Sequence, residues 1–343
     1  MAAFDDGDLP GLRLAPFRAF FERARPGAVA GPLRAQLVPG GRSNLTYEVT
    51  DGRSSWIVRR PPLGHVLATA HDMAREHRVM TALAGTGVPV PATYALCEDP
   101  DVIGAPFYVM EKVEGVPYRN AAELRPLGAE QVARIAGRMV DTLVDLHGVD
   151  PAGIGLAGFG RPEGFLARQV RRWKRQLDAS YTRDLPEADE LHALLEAGLP
   201  AESPPAIVHG DYRLDNLLVG DGGRIAAVLD WEMATLGDPL TDLALLLVYM
   251  RRRTPVPGEG DAMRAPGFPS AEEVAARYAE RSGRDLSALG FYVALACFKL
   301  AVISEGIHYR FLQGQTVGKG FESVGAAVEP LLRDGIAALK DQA

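Results

Sequence analysis

A chain of 343 residues, 47% of them hydrophobic, is long enough to form two lobes with a sizeable core. Its formal net charge of −7 argues against a nucleic-acid-binding protein, because such proteins need a basic face. The two cysteines lack a CxxC spacing and indicate buried thiols in a reducing compartment. The N-terminus lacks a signal-peptide pattern, and the most apolar segment, 291–303, is too short to span a bilayer. We therefore expect a cytoplasmic protein without a membrane or nucleic-acid partner.

The first third of the chain predicts a small sheet with flanking helices. Apolar positions three and four apart predict helices, and short β-rich runs bounded by turn residues predict strands. The predicted helices are 14–25 and 70–83, and the predicted strands are 34–38, 45–49, 56–59, 88–96 and 107–110. The first two strands flank a glycine-rich loop, 39–44, which ends in Ser43 and Asn44.

From Gly128 onward the pattern becomes helical. The predicted helices are one that ends at His147, a basic one at 168–175, and further ones at 243–250, 271–282, 289–309 and 324–339. The basic helix carries five Lys and Arg residues around Trp173. Such a run is usually a solvated face, but in an acidic protein it could also attract an anionic substrate.

Residues 208–243 are the most informative stretch. Apolar runs at 217–219 and 225–229 flank a glycine-rich turn and predict a β-hairpin. Asn216 precedes its first strand and Asp230 follows its second, so both side chains belong to the same end of the hairpin, close to Asp211. Two carboxylates and a carboxamide suit Mg²⁺, a hard cation that takes oxygen ligands.

The spacing His209-Gly210-Asp211, then Asn216, then Asp230-Trp231-Glu232 resembles the catalytic and metal loops of the protein-kinase-like fold. Together with Tyr212-Arg213-Leu214-Asp215 and Gly237-Asp238-Pro239, this spacing is most similar to the aminoglycoside phosphotransferase branch. Within that branch it resembles the phosphotransferase domain that is fused to some acyl-CoA dehydrogenases. The resemblance implies an α+β fold of two lobes: a small antiparallel-sheet N-lobe at 1–113 and a larger, mainly helical C-lobe at 114–343.

The resemblance also implies roles for individual residues in binding ATP and Mg²⁺. Ser43 and Asn44 would form part of a phosphate cradle, although their loop departs from the Gly-x-Gly-x-x-Gly pattern. Arg59 falls where kinases place the phosphate-gripping lysine, and Glu76 is its predicted ion-pair partner. The Glu111 carbonyl would accept from adenine at a hinge, and the Val113 N–H would donate to it.

In the second half of the chain, Asn216 and Asp230 would bind Mg²⁺, and Asp211 would act as the catalytic base. Arg213, two residues after the base, would stabilise the transferring phosphoryl group or grip an acidic acceptor. A salt bridge of Arg213 to Asp215 or Glu232 is an equally good interpretation.

The acceptor is predicted to be a small molecule with a hydroxyl group. Lys299, His308 and Arg310 are candidates for the acceptor pocket, and their charge favours an anion such as a hydroxy acid or a hydroxyacyl thioester of coenzyme A. In aminoglycoside kinases, by resemblance, the corresponding region carries acids. Alternatively, Lys299 reaches out to the surface.

Three other functions stay open on the sequence: an aminoglycoside-type antibiotic kinase, a nucleotide-binding pseudokinase module, and a phosphohydrolase. The intact Asp211, Asn216 and Asp230 count against the pseudokinase. The predicted hinge and Arg59 count against the phosphohydrolase, because both serve nucleotide binding. We expect a monomer or a homodimer.

Overall fold

The computed structural model describes residues 4–39, 44–64, 71–251, 260–316 and 320–340. These residues form two compact units. The first unit contains the described residues up to Gly115 together with Ala226–Ala234. The second contains Val116–Ile225 and the described residues from Thr235 onward.

The first unit is a five-stranded antiparallel sheet with two helices. Its elements are α1 (Leu14–Ala24), β1 (Arg34–Leu37), β2 (Leu45–Thr50), β3 (Ser55–Arg60), α2 (Met73–Leu83), β4 (Thr93–Cys97) and β5 (Phe107–Glu111). The strand order is β1-β2-β3-β5-β4. An aromatic core joins α1 to the sheet: Phe21 lies 5.3 Å from Trp56 and Phe20 lies 5.1 Å from Phe107 between ring centroids.

The alternation of side chains along β3 explains why Arg59 lies outside the apolar core. Side chains alternate between the two faces of a strand, and Trp56 and Val58 point into the apolar core. Arg59 therefore lies on the opposite face, where it is paired in register with Tyr108 of β5.

The second unit is mainly helical. Its helices are α3 (Ala121–Leu124), α4 (Ala129–Gly148), α5 (Phe165–Asp178), α6 (Pro186–Ala197), α7 (Leu240–Arg251), α8 (Ala271–Ser282), α9 (Leu289–Leu312) and α10 (Val328–Lys340). The short strands are β6 (Ala206–Val208), β7 (Leu217–Val219), β8 (Ile225–Val228, which continues into the first unit) and β9 (Thr235–Gly237). Strands β6 and β9 pair in antiparallel fashion, with Val208 opposite Thr235. The predicted turn between β7 and β8 is closed by a hydrogen bond from the Gly220 N–H to the Arg224 carbonyl, 2.9 Å.

Helix α9 is the centre of the second unit and packs against α5, α6, α7 and α10. Among the described helices it alone is long and apolar enough to cross a membrane, and 78% of its most apolar window is buried within the protein. The core helix of a soluble protein has the same character, so its composition is explained by its central position.

The α+β class that the sequence predicts is confirmed, and several boundaries are corrected. Strand β4 begins at Thr93 rather than at residue 88, because the chain before it contains Pro89 and Pro91, which cannot donate to a ladder. The last predicted helix begins only at Val328, after a 3₁₀ segment. The helix predicted from residue 70 begins at Met73, with Asp72 as its N-cap. Its predicted first residue lies outside the described part of the chain.

Both cysteines are buried within their own units. Burial raises the pKa of the Cys97 thiol, and it raises the pKa of the Cys297 thiol to about 12. Both thiols are therefore protonated at neutral pH.

Candidate active site

The loop that follows β6 in the second unit is held by Asp242 of α7. The Asp242 carboxylate accepts hydrogen bonds from the N–H groups of His209, 2.6 Å, and Gly210, 2.8 Å. Gly210 has a φ of +85°, a left-handed conformation that glycine adopts without steric cost. The main chain immediately before Asp211 is therefore fixed by a carboxylate that is itself only 1% exposed.

Asp242 is in turn paired with His147 at the end of α4. The His147 Nε2 lies 3.3 Å from Asp242 Oδ2, and its Nδ1 lies 2.7 Å from the Tyr278 hydroxyl. Burial alone would raise the pKa of Asp242, but the contact with His147 and the backbone N–H groups outweigh it and lower this pKa. Burial lowers the pKa of His147, so the pair consists of a carboxylate and a neutral imidazole.

This arrangement revises the roles of two acids near the start of α7. The family resemblance implies that the Gly237-Asp238-Pro239 segment braces the loop with Asp211, and the sequence predicts that Asp238 and Asp242 cap the following helix. In the structure Asp242 holds the loop, whereas Asp238 accepts from the Ser203 N–H and the Tyr292 hydroxyl. Asp238 thus fixes the segment that leads into β6.

The predicted base and one predicted metal ligand are in direct contact. Asn216 Nδ2 donates to the Asp211 carbonyl, 2.9 Å, and to Asp211 Oδ2, 3.0 Å. The other carboxylate oxygen of Asp211, Oδ1, accepts from the Tyr249 hydroxyl at 2.8 Å. Both hydrogen bonds described for Asn216 use its nitrogen, so the carboxamide oxygen is the atom that would bind a cation.

Arg213 lies between two acids of the same loop. Its Nε is 3.4 Å from Asp211 Oδ2 and its Nη1 is 3.5 Å from Asp215 Oδ2, both ion pairs that are longer than aligned hydrogen bonds. The Tyr249 ring lies under the guanidinium, 5.4 Å from its carbon to the ring centroid. The structure thus contains the predicted salt bridge to Asp215, and it also places Arg213 beside Asp211, the predicted base. The salt bridge and the predicted role beside the base are therefore compatible.

Lys299 points into the unit. Its Nζ donates to the Gly210 carbonyl, 2.8 Å, and lies 5.7 Å from the centroid of the Trp173 ring of α5. Burial lowers the pKa of Lys299, although the nearby Asp211 carboxylate opposes this effect. Its position argues against the interpretation in which it reaches out to solvent, because its Nζ binds the main chain next to Asp211.

In the first unit, Arg59 joins two acids. Its Nε forms an ion pair with Glu76 Oε2 at 3.1 Å, and its Nη2 contacts Asp230 Oδ1. Glu76 is 1% exposed and also accepts from the Tyr108 hydroxyl, 2.9 Å. Burial raises the pKa of Glu76 even though Arg59 opposes it. The planar guanidinium can bridge two carboxylates in different directions, which one lysine ammonium does less well.

Asp230 has an unusual backbone. Its φ of +64° makes it the only non-glycine among the described residues with a positive φ. Such a conformation costs of the order of 1 kcal/mol and is found mainly at functional sites, and Asp and Asn tolerate it best. The turn that follows is fixed by the Trp231 indole, which donates to the Val228 carbonyl at 3.0 Å.

Asn44, predicted in the phosphate cradle, is used differently in the structure. Its side chain is buried and donates to Glu76 and to Glu232, 3.1 Å each, while its Oδ1 lies 2.8 Å from His71 Nδ1. It therefore links Glu76, a partner of Arg59, to Glu232, and its contribution to phosphate binding would come from its main chain. Ser43 lies outside the described residues.

The two predicted hinge residues follow directly from β5. Glu111 is the last residue of that strand, and its N–H donates to the Ala92 carbonyl, 2.8 Å. Val113 is half-buried in the extended chain beyond it. Their roles in adenine binding stay predictions.

The residues predicted to bind Mg²⁺ have the chemistry that the ion requires. Asn216 and Asp230, each described within its own unit, offer a carboxamide oxygen and a carboxylate oxygen, which are hard ligands. No three His, Cys, Asp or Glu side chains cluster as a metal site in the part of the chain that the structure describes. Mg²⁺ in proteins commonly keeps several water ligands and binds phosphate oxygens as well.

Comparisons with known proteins agree with this geometry. The phosphotransferase enzyme family matches residues 34–292, a range that contains the residues predicted for catalysis, nucleotide binding and metal binding but not Lys299, His308 or Arg310. Acyl-CoA dehydrogenase family member 11 of Gallus gallus is 36% identical over 316 residues, which are 90% of this chain and 40% of that protein. The chain thus spans well under half the length of this relative.

Two solved structures are similar as well. A candidate aminoglycoside phosphotransferase from Ralstonia eutropha has a TM-score of 0.84 and 33% identity, with 99% of each chain covered. A ternary complex of aminoglycoside phosphotransferase APH(4)-Ia with AMP-PNP and hygromycin B has a TM-score of 0.58 and 14% identity, covering 94% of this chain and 97% of that one. The second likeness shows the fold alone.

The fold is thus that of the kinase-like phosphotransferases. The chain belongs to the phosphotransferase enzyme family. The predictions of this family and of its fold are confirmed.

Proposed function

We propose that the protein transfers the γ-phosphoryl group of ATP, with Mg²⁺, to the hydroxyl group of a small anionic molecule. The acceptor class that we favour is a hydroxy acid or its coenzyme A thioester. One observation carries the proposal: Asp211 and Asn216 are locked together on a loop whose main chain is held by buried Asp242. A loop held in this way presents a carboxylate base and an oxygen ligand with little freedom, which is what phosphoryl transfer requires.

In this proposal the first unit serves the nucleotide. Arg59, steadied by Glu76, binds phosphate oxygens, and Asn216 and Asp230 hold Mg²⁺, which neutralises charge on the phosphates when it is bound. The Glu111 carbonyl and the Val113 N–H pair with adenine, and the loop with Ser43 and Asn44 covers the phosphates. The lobes divide at about residue 113. The binding of AMP-PNP by a protein of the same fold supports ATP as the donor.

Asp211 accepts or orients the proton of the attacking hydroxyl. Its carboxylate is already fixed by three side chains: Asn216, Tyr249 and Arg213. Arg213, beside the base, supplies positive charge where negative charge spreads over the transferring phosphoryl oxygens.

The charges near the base support an anionic acceptor. Arg213 lies next to Asp211, and Arg172 of α5 is close enough to Lys299 to lower the pKa of that lysine. A polycationic sugar beside these groups would meet like charges, which cost several kcal/mol. The Lys299 ammonium donates to the Gly210 carbonyl. It therefore acts on the acceptor through its positive charge rather than through a direct contact. The relative's name, an acyl-CoA dehydrogenase family member, supports a coenzyme A thioester.

The experiment is a phosphoryl-transfer assay with radiolabelled ATP and Mg²⁺. Hydroxybutyrate and hydroxybutyryl-coenzyme A serve as anionic probes, and kanamycin serves as a cationic one. We expect phosphorylation of the anionic probes, abolished by EDTA. Phosphorylation of kanamycin alone would overturn the acceptor class and favour an antibiotic kinase. ATP binding without any turnover would favour a pseudokinase.

The variant Asp211→Asn tests the base. Loss of a general base costs roughly 10²–10⁴-fold in rate, and binding of ATP should remain. Asp221→Asn, in the exposed turn between β7 and β8, is the matched control and should keep full activity. A parallel loss of ATP affinity and transfer in Asp211→Asn would make Asp211 a binding residue.

A further inference from the structure

We propose that Tyr249 is a positioning residue for the catalytic base. Its hydroxyl fixes the orientation of the Asp211 carboxylate, and its ring fixes Arg213 beside it. The inference rests on the proposed function, since it concerns the same site. It assigns a role to a residue of α7 for which the sequence motifs give no indication.

The spacing along α7 places Tyr249 next to the loop. Asp242 and Tyr249 are seven residues apart, which is about two turns, so both lie on one face of the helix. Asp242 binds the main chain of His209 and Gly210, and Tyr249 binds the side chain of the next residue, Asp211. One helix face therefore holds both the backbone and the carboxylate of the base.

The two carboxylate oxygens of Asp211 have different partners. Oδ2 of Asp211 faces Asn216 Nδ2 and Arg213 Nε, whereas Oδ1 accepts from the Tyr249 hydroxyl. A carboxylate oxygen has two lone pairs, so Oδ1 can keep its bond to the tyrosine and also accept from the hydroxyl of an incoming acceptor. Without the tyrosine the carboxylate keeps only its contacts at Oδ2, so it rotates more easily and less of it is in the productive orientation.

The ring contact is separable from the hydroxyl contact. The Arg213 guanidinium carbon lies 5.4 Å from the centroid of the Tyr249 ring, within the range of a cation–π interaction. Phenylalanine at position 249 keeps this ring and removes only the bond to Asp211. Tyr249→Leu removes both contacts. Comparing it with Tyr249→Phe therefore separates the effect of Tyr249 on Asp211 from its effect on Arg213.

The first test measures Mg²⁺-dependent ATP hydrolysis, with water in place of the acceptor, so that the identity of the acceptor does not matter. We expect Tyr249→Phe to lower kcat about ten-fold and to leave KM for MgATP unchanged. Tyr249→Leu should lower kcat further, by about 100-fold in total.

Tyr181→Phe is the matched control. It also removes a tyrosine hydroxyl from a carboxylate in the second unit, the exposed Asp189 at 3.4 Å. We expect an unchanged kcat and an unchanged KM for MgATP. The proposal is overturned if Tyr249→Phe behaves in the same way as Tyr181→Phe.

A second test does not depend on turnover. A double-mutant cycle of Tyr249→Phe and Asp211→Ala in urea unfolding should give a coupling of about five-fold in the unfolding equilibrium, and additive effects would overturn the contact. If the wild-type protein turned over ATP with neither water nor any probe, the proposed function would fail. The cycle would then still decide whether Tyr249 fixes Asp211.

Discussion

The two clusters of predicted functional residues, one in each unit, are stabilised in different ways. Around Arg59 in the first unit, side chains hold side chains: Arg59 bridges Glu76 and Asp230, and Asn44 bridges Glu76 and Glu232. Around Asp211 in the second unit, side chains hold the main chain. Asp242 accepts from two backbone N–H groups, and Asn216 and Lys299 donate to backbone carbonyls.

This difference separates a preformed element from an adjustable one. A main chain fixed by buried hydrogen bonds takes its shape as the protein folds and keeps it. A cluster of charged side chains depends on the charges that are present, so pH and added phosphate change its geometry. The cluster around Arg59 is therefore expected to respond to added phosphate more than the loop with Asp211 does.

The largest effect is expected for Asp230→Asn. Asparagine tolerates the left-handed backbone at this position, so the fold is retained, but a negative charge is lost from the Mg²⁺ site and from Arg59. Phosphoryl transfer should fall by about 10³-fold or more, with an unfolding midpoint close to that of the wild type. Turnover is measured with saturating Mg²⁺ and ATP, and full activity in this variant would refute the metal assignment.

The next effect in size concerns the fold of the loop. Asp242→Ala leaves two buried N–H groups and His147 without their acceptor, so we expect a loss of about 3 kcal/mol in the free energy of unfolding. Asp141→Ala is the control, because it removes an exposed pair with Arg277 that contributes less than about 1 kcal/mol. Urea unfolding measures both, and equal losses would show that the loop does not depend on Asp242.

A smaller effect is expected for Arg59→Lys. A single ammonium keeps the charge but cannot bridge Glu76 and Asp230 as the guanidinium does. KM for MgATP should rise about ten-fold, with a smaller change in kcat. Arg53→Lys, at an exposed turn of the same unit, should leave both constants unchanged. An unchanged KM in Arg59→Lys would mean that the bridge is dispensable for nucleotide binding.

The smallest effect is on the pH dependence of stability. The pKa of His147 is lowered on folding, so below about pH 6.5 the unfolded chain binds more protons and stability falls as the solution is acidified. The lowered pKa of Asp242 acts in the same direction at lower pH. The pKa of Glu76 is raised, so its protonation in the folded state opposes this loss.

Two variants separate these contributions in urea unfolding between pH 7 and pH 4. His147→Gln should make the loss of stability on acidification shallower, and Glu76→Gln should make it steeper, each by about 1 kcal/mol. Equal slopes in both variants would contradict the opposite pKa shifts of His147 and Glu76.

The parts of the molecule that depend on local pattern could be predicted from the sequence. Helix α8 has the predicted limits, β2 is one residue longer than predicted at its end, and β3 is one residue longer at each end. Amphipathic spacing and turn residues act over a few positions, and the linear sequence contains them in full. The hairpin that carries Asn216 and Asp230 was found in the same way.

The contacts that hold the site depend on the tertiary fold. Tyr249 and Lys299 lie 38 and 89 residues after the residues they bind. Each is one polar residue in an apolar helix, a pattern that fits a pocket, a core contact or a surface position equally well. The seven-residue spacing of Asp242 and Tyr249 was visible, but its meaning needed the position of α7 against the loop.

The burial of both thiols has a practical consequence for spectroscopy. Cys97 and Cys297 are inaccessible, and their thiolate fraction at neutral pH is small, so maleimide dyes should react with them slowly. Fluorophores can then be attached to two introduced surface cysteines without replacing either native one. A pair with one dye on each unit would report the distance between the units in solution, with and without nucleotide.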